Sequence, residues 1–338
     1  MPMVLLLKIG TLIIIVPLAV LVVFYSWASE SFYPKDKYNE VVNFDKTSPP
    51  SNQDTFTVIT YNIGYLSGLD NAATSETAIQ PSKDFYDDNL KTAVAAIKLY
   101  NADFIGFQEI DIASKRSYNV NQVTELAKNL SLPTALIGIN WDKNYVPFPF
   151  SPLSAQFGRT LAAQAILSRF PITQSERIVL EKVASQPFYY KAFYLDRIAQ
   201  VAQIDVNGKP LIIINIHVEA FDEATRINHT IKVKELAESY ARLYPVLLIG
   251  DFNSSLNRDK ENNPSIKLLL ESNKLKSAFS LEQLQTKQVA TYPSNELTHT
   301  LDYIFYNSER IEFIESQLLK EAKTASDHIP IMMKFRLR

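Results

Sequence analysis

The chain contains no cysteine in 338 residues, which excludes disulfides and thiolate metal sites and leaves the redox compartment unmarked. It also has no basic run: 34 Lys and Arg stand against 36 Asp and Glu, a net charge of −2. Proteins that hold duplex DNA through many phosphates usually carry a basic stripe. The chain therefore shows no strong sign of duplex nucleic acid as a partner. Apolar residues are plentiful, at 46% hydrophobic and 11% aromatic, enough for a sizeable core and an argument against wholesale disorder.

Residues 3–25 are apolar apart from Lys8 and a few small or turn residues, and Ile13 to Phe24 is interrupted only by Pro17. That length spans a bilayer, and a proline inside a membrane helix is tolerated. Residues 1–29 are therefore expected to be a retained single-pass anchor, because the apolar run exceeds a usual signal core. The competing reading is a cleaved signal peptide ending near Ser26-Trp27-Ala28, which would make the protein secreted. Lys8 suggests an inside N-terminus and an extracytoplasmic remainder, although Lys35 and Lys37 weaken that bias. Residues 30–54, ending in Ser48-Pro49-Pro50-Ser51-Asn52, read as a polar linker. The catalytic domain is expected over 55–338.

Within that domain, short apolar runs repeatedly stop at polar residues. Leu247-Leu248-Ile249-Gly250 is a buried strand by pattern and delivers Asp251 and Asn253. Residues two apart on a strand project to one side, so a carboxylate and a carboxamide point together, unless the pair merely closes the strand as an Asx turn. TFTVITY at 55–61 ends at Asn62. Residues 70–84 are polar and loop-like, a candidate flap, before an amphipathic helix over 89–100. The strand at 103–107 leads to Gln108-Glu109, where a carboxylate directly after FIGF is costly unless paired, solvated or metal-bound. A solvated surface position is the plainer account of a lone Glu.

Residues 122–130 suit a helix and 135–139 a short strand, and the aromatic, proline-rich tract 140–157 reads as a long loop. A strand with a turn follows at 162–172. The hairpin 199–206, Asn207-Gly208, 211–216 ends in Asn215-Ile216-His217, where a single His is more often a satisfied core residue. His229, on the helix expected over 225–243, reads as surface. Asn253-Ser254-Ser255 matches a glycosylation sequon, which burial in a site would make irrelevant. Asp302 lies inside the strand 300–306, and Asp327-His328 precedes a closing strand over 329–335.

The collected set is Asn62, Glu109, His217, Asp251, Asn253, Asp302, Asp327 and His328: hard oxygen ligands, amides and two of four histidines. It suits hydrolysis of a phosphate ester, with oxygen ligands for Mg²⁺ and groups to activate water and protonate a leaving oxygen.

Taken in order, YNIG at 61–64, FQE at 107–109, AILSRFPI at 165–172, NIH at 215–217, GDFN at 250–253, LDYIF at 301–305 and SDH at 326–328 resemble the motifs of the endonuclease/exonuclease/phosphatase (DNase I-like) superfamily. The resemblance implies an α/β fold, a four-layer α-β-β-α sandwich of two mixed β-sheets, here preceded by one N-terminal transmembrane helix. It implies Mg²⁺ as cofactor, with Mn²⁺ the alternative, held by Glu109 with Asn62 and Asp327. It further implies that Asp251 orients or deprotonates water and that Asn253 contacts the phosphate. His328 would face the phosphate while paired to Asp302, and His217 would assist the leaving group or the phosphate.

Leu248-Ile249 and Thr300-Leu301 replace the Trp and the Cys-Asp-Arg element of inositol polyphosphate 5-phosphatases. His217 stands where abasic-site nucleases usually have Tyr. The balance is closest to sphingomyelinase-like and lipid-remodelling members. The expected activity is that of a membrane-anchored, Mg²⁺-dependent phosphodiesterase on a phospholipid or related head group. A secreted or surface nuclease and a catalytically silent, membrane-tethered binding module are the alternatives. Nothing in the sequence reports an oligomeric state.

Overall fold

The computed structural model of the chain describes residues 2–44, 53–69, 80–258 and 261–338. A first helix, α1 (Pro2–Ser29), contains in Thr11–Ser29 a stretch long and apolar enough to cross a membrane. The chain then builds β1 (Asn39–Asn43), β2 (Thr55–Asn62), α2 (Lys83–Lys98), β3 (Phe104–Asp111), α3 (Gln122–Leu130), β4 (Thr134–Val146) and β5 (Gly158–Ser168). It continues with β6 (Ile172–Val179), α4 (Phe188–Phe193), β7 (Ile198–Val206), β8 (Lys209–His217), α5 (Glu223–Ala241) and β9 (Val246–Asp251). The described strands end with β10 (Lys276–Ser277), β11 (Asp302–Tyr306), β12 (Ile311–Leu318) and β13 (Ile331–Leu337).

Seven strands form one sheet in the order β1-β4-β5-β3-β2-β13-β12, and six form a second in the order β10-β11-β9-β8-β7-β6. Both are mixed. The pairs β2–β3 and β8–β9 are parallel, and each is joined by a helix, α2 or α5. These strands are apolar on both faces because both faces are covered, which erases the usual alternation. Between the sheets, Phe56, Phe104, Phe170 and Phe335 cluster with ring centroids 5.7 to 6.3 Å apart. On the outer face of the first sheet, Ile59 and Ile105 pack with Ile97 of α2 and Leu126 of α3. Val233 and Ala237 of α5 join the core at the second sheet. The result is the helix–sheet–sheet–helix layering implied by the sequence.

The helix boundaries follow local chemistry. Ser82 caps α2 by accepting from the Phe85 N–H, and Asn121 does the same for α3 from Thr124. An N-cap oxygen satisfies one of the amide groups left without a partner in the first turn. Ser131, in a left-handed conformation (φ 57°), stops α3.

Several expectations are corrected. The short strand at 135–139 runs to Val146, paired with β5 almost throughout, so the first part of the supposed loop 140–157 belongs to the sheet. The linker expected over 30–54 is in part sheet as well, since β1 pairs with β4. Asp142 accepts from the Phe32 and Tyr33 amides at 3.1 and 3.0 Å and from the Tyr38 hydroxyl at 2.6 Å. Half-exposed polar residues of an edge strand look like linker by composition alone. The Ser-Pro tract at 48–52 and most of the candidate flap, 70–79, lie outside the described residues.

His229 is buried, not on the surface. Its Nδ1 accepts from the Glu219 amide at 3.3 Å and its Nε2 lies 2.8 Å from the Glu181 carbonyl. Those partners suit only the neutral Nε2–H tautomer, and burial, the largest cause, lowers its pKa. The unfolded chain then binds the proton more readily, so this contribution is present above about pH 6.5 and is lost as pH falls below it. Urea unfolding at pH 7 and 5 should show the wild type losing stability by up to about 1.4 kcal/mol per pH unit more than His229→Gln. Identical slopes for the two proteins would show that His229 does not set the acid limit.

Candidate active site

The two parallel pairs deliver their C-terminal ends to one edge of the sandwich. Asn62 ends β2, Glu109 lies near the end of β3, and His217 and Asp251 face each other at the ends of β8 and β9. The structure brings them together. The Asn62 amide donates to Asp251 Oδ2 at 2.9 Å and to Glu109 Oε1 at 3.4 Å. His217 Nε2 lies 3.4 Å from Asp251 Oδ2 and 3.7 Å from Glu109 Oε1.

Glu109 sits on a bulge, where the register of β3 against β5 shifts between Phe107 and Ile110. Its φ is 52°, a left-handed value uncommon for a non-glycine residue. Such bulges re-aim side chains beside active sites. At 18% side-chain exposure Glu109 is the most open of the four groups, so the site opens on its side.

Asp302, on β11, stands directly opposite Asp251. Two buried carboxylates on neighbouring strands repel each other, and His328 relieves them. Its Nδ1–H donates to Asp302 Oδ2 at 2.8 Å while Nε2 lies 3.9 Å from Asp251 Oδ2. His328 is held well above its ordinary range: burial opposes the charge, but Asp302, Asp251 and Asp327 outweigh it. His217 is pushed the other way by burial and by the Arg197 and His328 charges. One histidine is a cation and the other neutral, the kind of split that separates roles in a site. Burial pushes the Asp251 carboxyl up to about 7.

The remaining expected residues also lie here. Asn253 (φ 49°) donates its N–H to Asp251 Oδ1 at 2.8 Å and its amide to the Val218 carbonyl at 3.2 Å. The Asx turn is therefore what holds Asn253 beside Asp251. Asp327 Oδ1 accepts from Ser326, whose hydroxyl also donates to the Asn62 carbonyl at 2.8 Å. Asn62 stands beside Glu109, as expected of a residue of the metal site: its Oδ1 accepts from the Gly64 amide at 3.1 Å, and its NH₂ faces the Asp251 and Glu109 carboxylates.

The donor set fits a hard dication. Glu109 and Asp251 converge on a neutral imidazole, and Asp302 Oδ1 is buried with no hydrogen-bond partner. Among the described residues, Asp251, Asp302 and His328 present ligand atoms within 4.8 Å of one another. The His328–Asp302 hydrogen bond occupies part of that trio, which leaves Glu109 as the accessible oxygen donor; Mg²⁺ prefers such oxygens and keeps several waters.

Sequence reasoning missed Arg197 and Tyr292. The Tyr292 ring lies 4.9 Å from that of His328. Arg197 is buried at the start of β7, donates to the Tyr194 hydroxyl at 3.0 Å, and has Nε and Nη1 without hydrogen-bond partners. Its charge is felt at His217, and the charge of Glu109 is felt at Arg197. The available signal was a charged residue beside the apolar run 198–204. It precedes a strand that runs antiparallel to β8, so its start, not its end, reaches the site. Asn215 instead belongs to a buried polar layer between the sheets, where Gln108 donates to it at 2.6 Å.

A model of the Endonuclease/Exonuclease/phosphatase family matches residues 59–328. Among solved structures, an endonuclease/exonuclease/phosphatase from Beutenbergia cavernae is 17% identical over 84% of this chain and 72% of its own, with a TM-score of 0.61. A mannosyl-6-phosphatase from Bacteroides thetaiotaomicron is 16% identical, covering 83% and 99%, with a TM-score of 0.56. The human Nocturnin catalytic domain with bound sulfate is 18% identical, covering 90% and 100%, with a TM-score of 0.57. At such identities the likeness is one of fold. No curated protein matches the chain.

Proposed function

The chain belongs to the endonuclease/exonuclease/phosphatase family, and from that premise we propose that it is a membrane-anchored, Mg²⁺-dependent phosphodiesterase acting on a phospholipid or related head group. The family makes it a phosphoric ester hydrolase with a divalent-metal requirement. The observation that carries the reading is the convergence of His217 and His328 on Asp251, at 3.4 and 3.9 Å, at an edge opened by Glu109.

In this reading Glu109, with Asn62 and Asp327, would hold the metal ion. Bound Mg²⁺, with Mn²⁺ the alternative, supplies charge stabilisation for a phosphate oxygen. Asp251 accepts the proton of the attacking water; a carboxyl near 7 is suited to that exchange at neutral pH. Asn62 and the Asn253 N–H fix its two oxygens. Asn253 uses one amide hydrogen on Val218 and has a second for the phosphate. His328, steadied by Asp302, places positive charge against the phosphate, and neutral His217 bridges Glu109 and Asp251. The residues 1–29 serve as a single-pass anchor, with the domain outside the cytoplasm.

The test is hydrolysis by the full chain with Mg²⁺ of mixed phospholipid vesicles, bis-p-nitrophenyl phosphate and labelled DNA. Lipid turnover above that of the Glu109→Ala, His328→Ala double variant is expected. Efficient DNA nicking without lipid turnover would end the lipid reading, and no turnover of any substrate would leave a binding module.

A further inference from the structure

Among the described residues, three connections at the edge that holds the site expose large apolar side chains, and the same segments lead back to α1. The loop between β4 and β5 exposes Phe150 and Leu153 at 77% and 73%. The segment between β6 and β7 exposes Phe188 at 73%, and Phe221, just after β8, is 82% exposed. All three connections lie at the edge where Asp251 and His217 sit, because β5 begins beside the end of β3 and β7 begins beside the end of β8.

Contacts run from the site to these loops. Arg197, whose charge is felt at His217, donates to Tyr194; Tyr190 stacks on Tyr194 with ring centroids 5.2 Å apart, and Tyr190 lies on α4 with Phe188. On the other side Arg116 lies over the Tyr65, Trp141 and Phe157 rings at 3.4, 5.0 and 5.0 Å, and Phe157 meets Phe148 at 5.6 Å.

The end of α1 is fixed against the same loops. Tyr25 packs on Phe188 and Phe193 with centroids 6.0 and 5.7 Å apart, and Phe24 on Tyr145 at 5.9 Å. Lys143 donates to the Ser29 carbonyl at 2.7 Å and Asn144 to that of Trp27 at 3.0 Å. The stretch able to span a bilayer ends at Ser29, so no free stalk separates it from the domain. Aromatic side chains at this level of a span are the usual residents of the headgroup region. A large exposed apolar patch marks an interaction surface, and here the anchor itself determines which surface lies next to it.

We propose that the aromatic collar formed by Phe148, Phe150, Leu153, Phe188, Tyr189 and Phe221 sits in the headgroup layer of the bilayer that α1 spans, so that the catalytic cleft opens onto that membrane. The substrate class is then a phosphodiester held in the same leaflet, reached by lateral diffusion and not from bulk water. The proposal rests on the anchored phosphodiesterase reading and adds an orientation to it.

The absence of cysteine allows a direct test. Full-length protein carrying Phe150→Cys, Phe188→Cys or Leu243→Cys is labelled with an environment-sensitive fluorophore and reconstituted into phosphatidylcholine vesicles. Leu243, exposed ahead of β9, marks the end of that strand opposite Asp251. Labels at 150 and 188 should be blue-shifted and quenched by lipids spin-labelled near the headgroup, while the label at 243 is quenched by aqueous iodide. If all three respond alike to iodide in vesicles that retain the protein, the collar is not at the membrane. If the protein does not float with the vesicles, the anchor is wrong and the orientation falls with it.

These readouts do not depend on turnover, so failure of the lipid-substrate reading would show separately as correct labelling with no lipid hydrolysis. A kinetic arm is also expected to separate interface from chemistry. The double variant Phe150→Asp, Phe188→Asp should lower vesicle phospholipid hydrolysis roughly 10- to 100-fold, with bis-p-nitrophenyl phosphate turnover in detergent unchanged. Equal loss on both substrates would point to damage at the site and overturn the collar's role.

Discussion

Asp251→Asn is expected to lower kcat on bis-p-nitrophenyl phosphate by about 10²- to 10⁴-fold, the range of a lost general base, with no loss of stability. The substitution keeps size and shape but removes the carboxylate that accepts from the Asn62 amide at 2.9 Å and stands opposite Asp302. A buried carboxyl pushed up to about 7 is already an unfavourable charge. Removing it relieves repulsion with Asp302, so the thermal midpoint should hold or rise. His328→Asn predicts a different combination. It leaves Asp251 and Asp302 without the cation between them, so stability falls together with turnover. Kinetics and thermal unfolding of both variants, in saturating Mg²⁺, decide the matter. Asp251→Asn within tenfold of wild-type kcat would remove Asp251 from the chemistry.

The site was legible in sequence wherever a side chain follows an apolar run in a parallel unit. Asn62, His217 and Asp251 all do, and open α/β sheets place their sites past the carboxyl ends of such strands. Three kinds of information were not local. The positive φ of Glu109 depends on a bulge against β5, more than fifty residues later in the chain, so sequence marks the carboxylate but not its aim. Arg197 stands at the beginning of an antiparallel strand, a position where the expectation about strand ends points to the wrong edge. The continuation of β4 through Asn140-Trp141-Asp142 depends on β5 and on the docked end of α1, whereas its polar and aromatic residues resemble a loop when read alone.

The same logic explains why His229 was misplaced and why Asn215, two residues from His217, lies outside the site. A helix position looks exposed when its neighbours are Asn228 and Lys232, yet the ring turns inward to the Glu219 amide. Asn215 shares a strand face with His217, but that face is covered by the other sheet one step before the edge. There Asn215 donates to the Phe107 and Ala165 carbonyls at 3.0 and 3.2 Å. Periodicity identifies a face; only the partner sheet decides how far along that face the interior extends.

Gly250→Ala should be the most destabilising single-methyl change in the site, by on the order of 3–5 kcal/mol, through forced backbone conformation and steric collision. Gly250 has φ 139°, a value side chains rarely adopt, and a Cβ there would collide with the Ile216 carbonyl oxygen and lie 2.9 Å from Ile216 C and N. These are backbone atoms of the paired strand, so no rotamer change relieves them. Strands β8 and β9 would have to separate one residue before His217 meets Asp251, and the two halves of the site would part. Gly208→Ala is the matched control: it too has a positive φ, 84°, but a Cβ there meets nothing within 4 Å. Its cost should be about 1 kcal/mol, with activity unchanged. Urea midpoints of the two variants and kcat of the surviving folded protein provide the comparison. A Gly250→Ala protein as stable and as active as Gly208→Ala would mean that the close approach of β8 to β9 is not what holds His217 against Asp251.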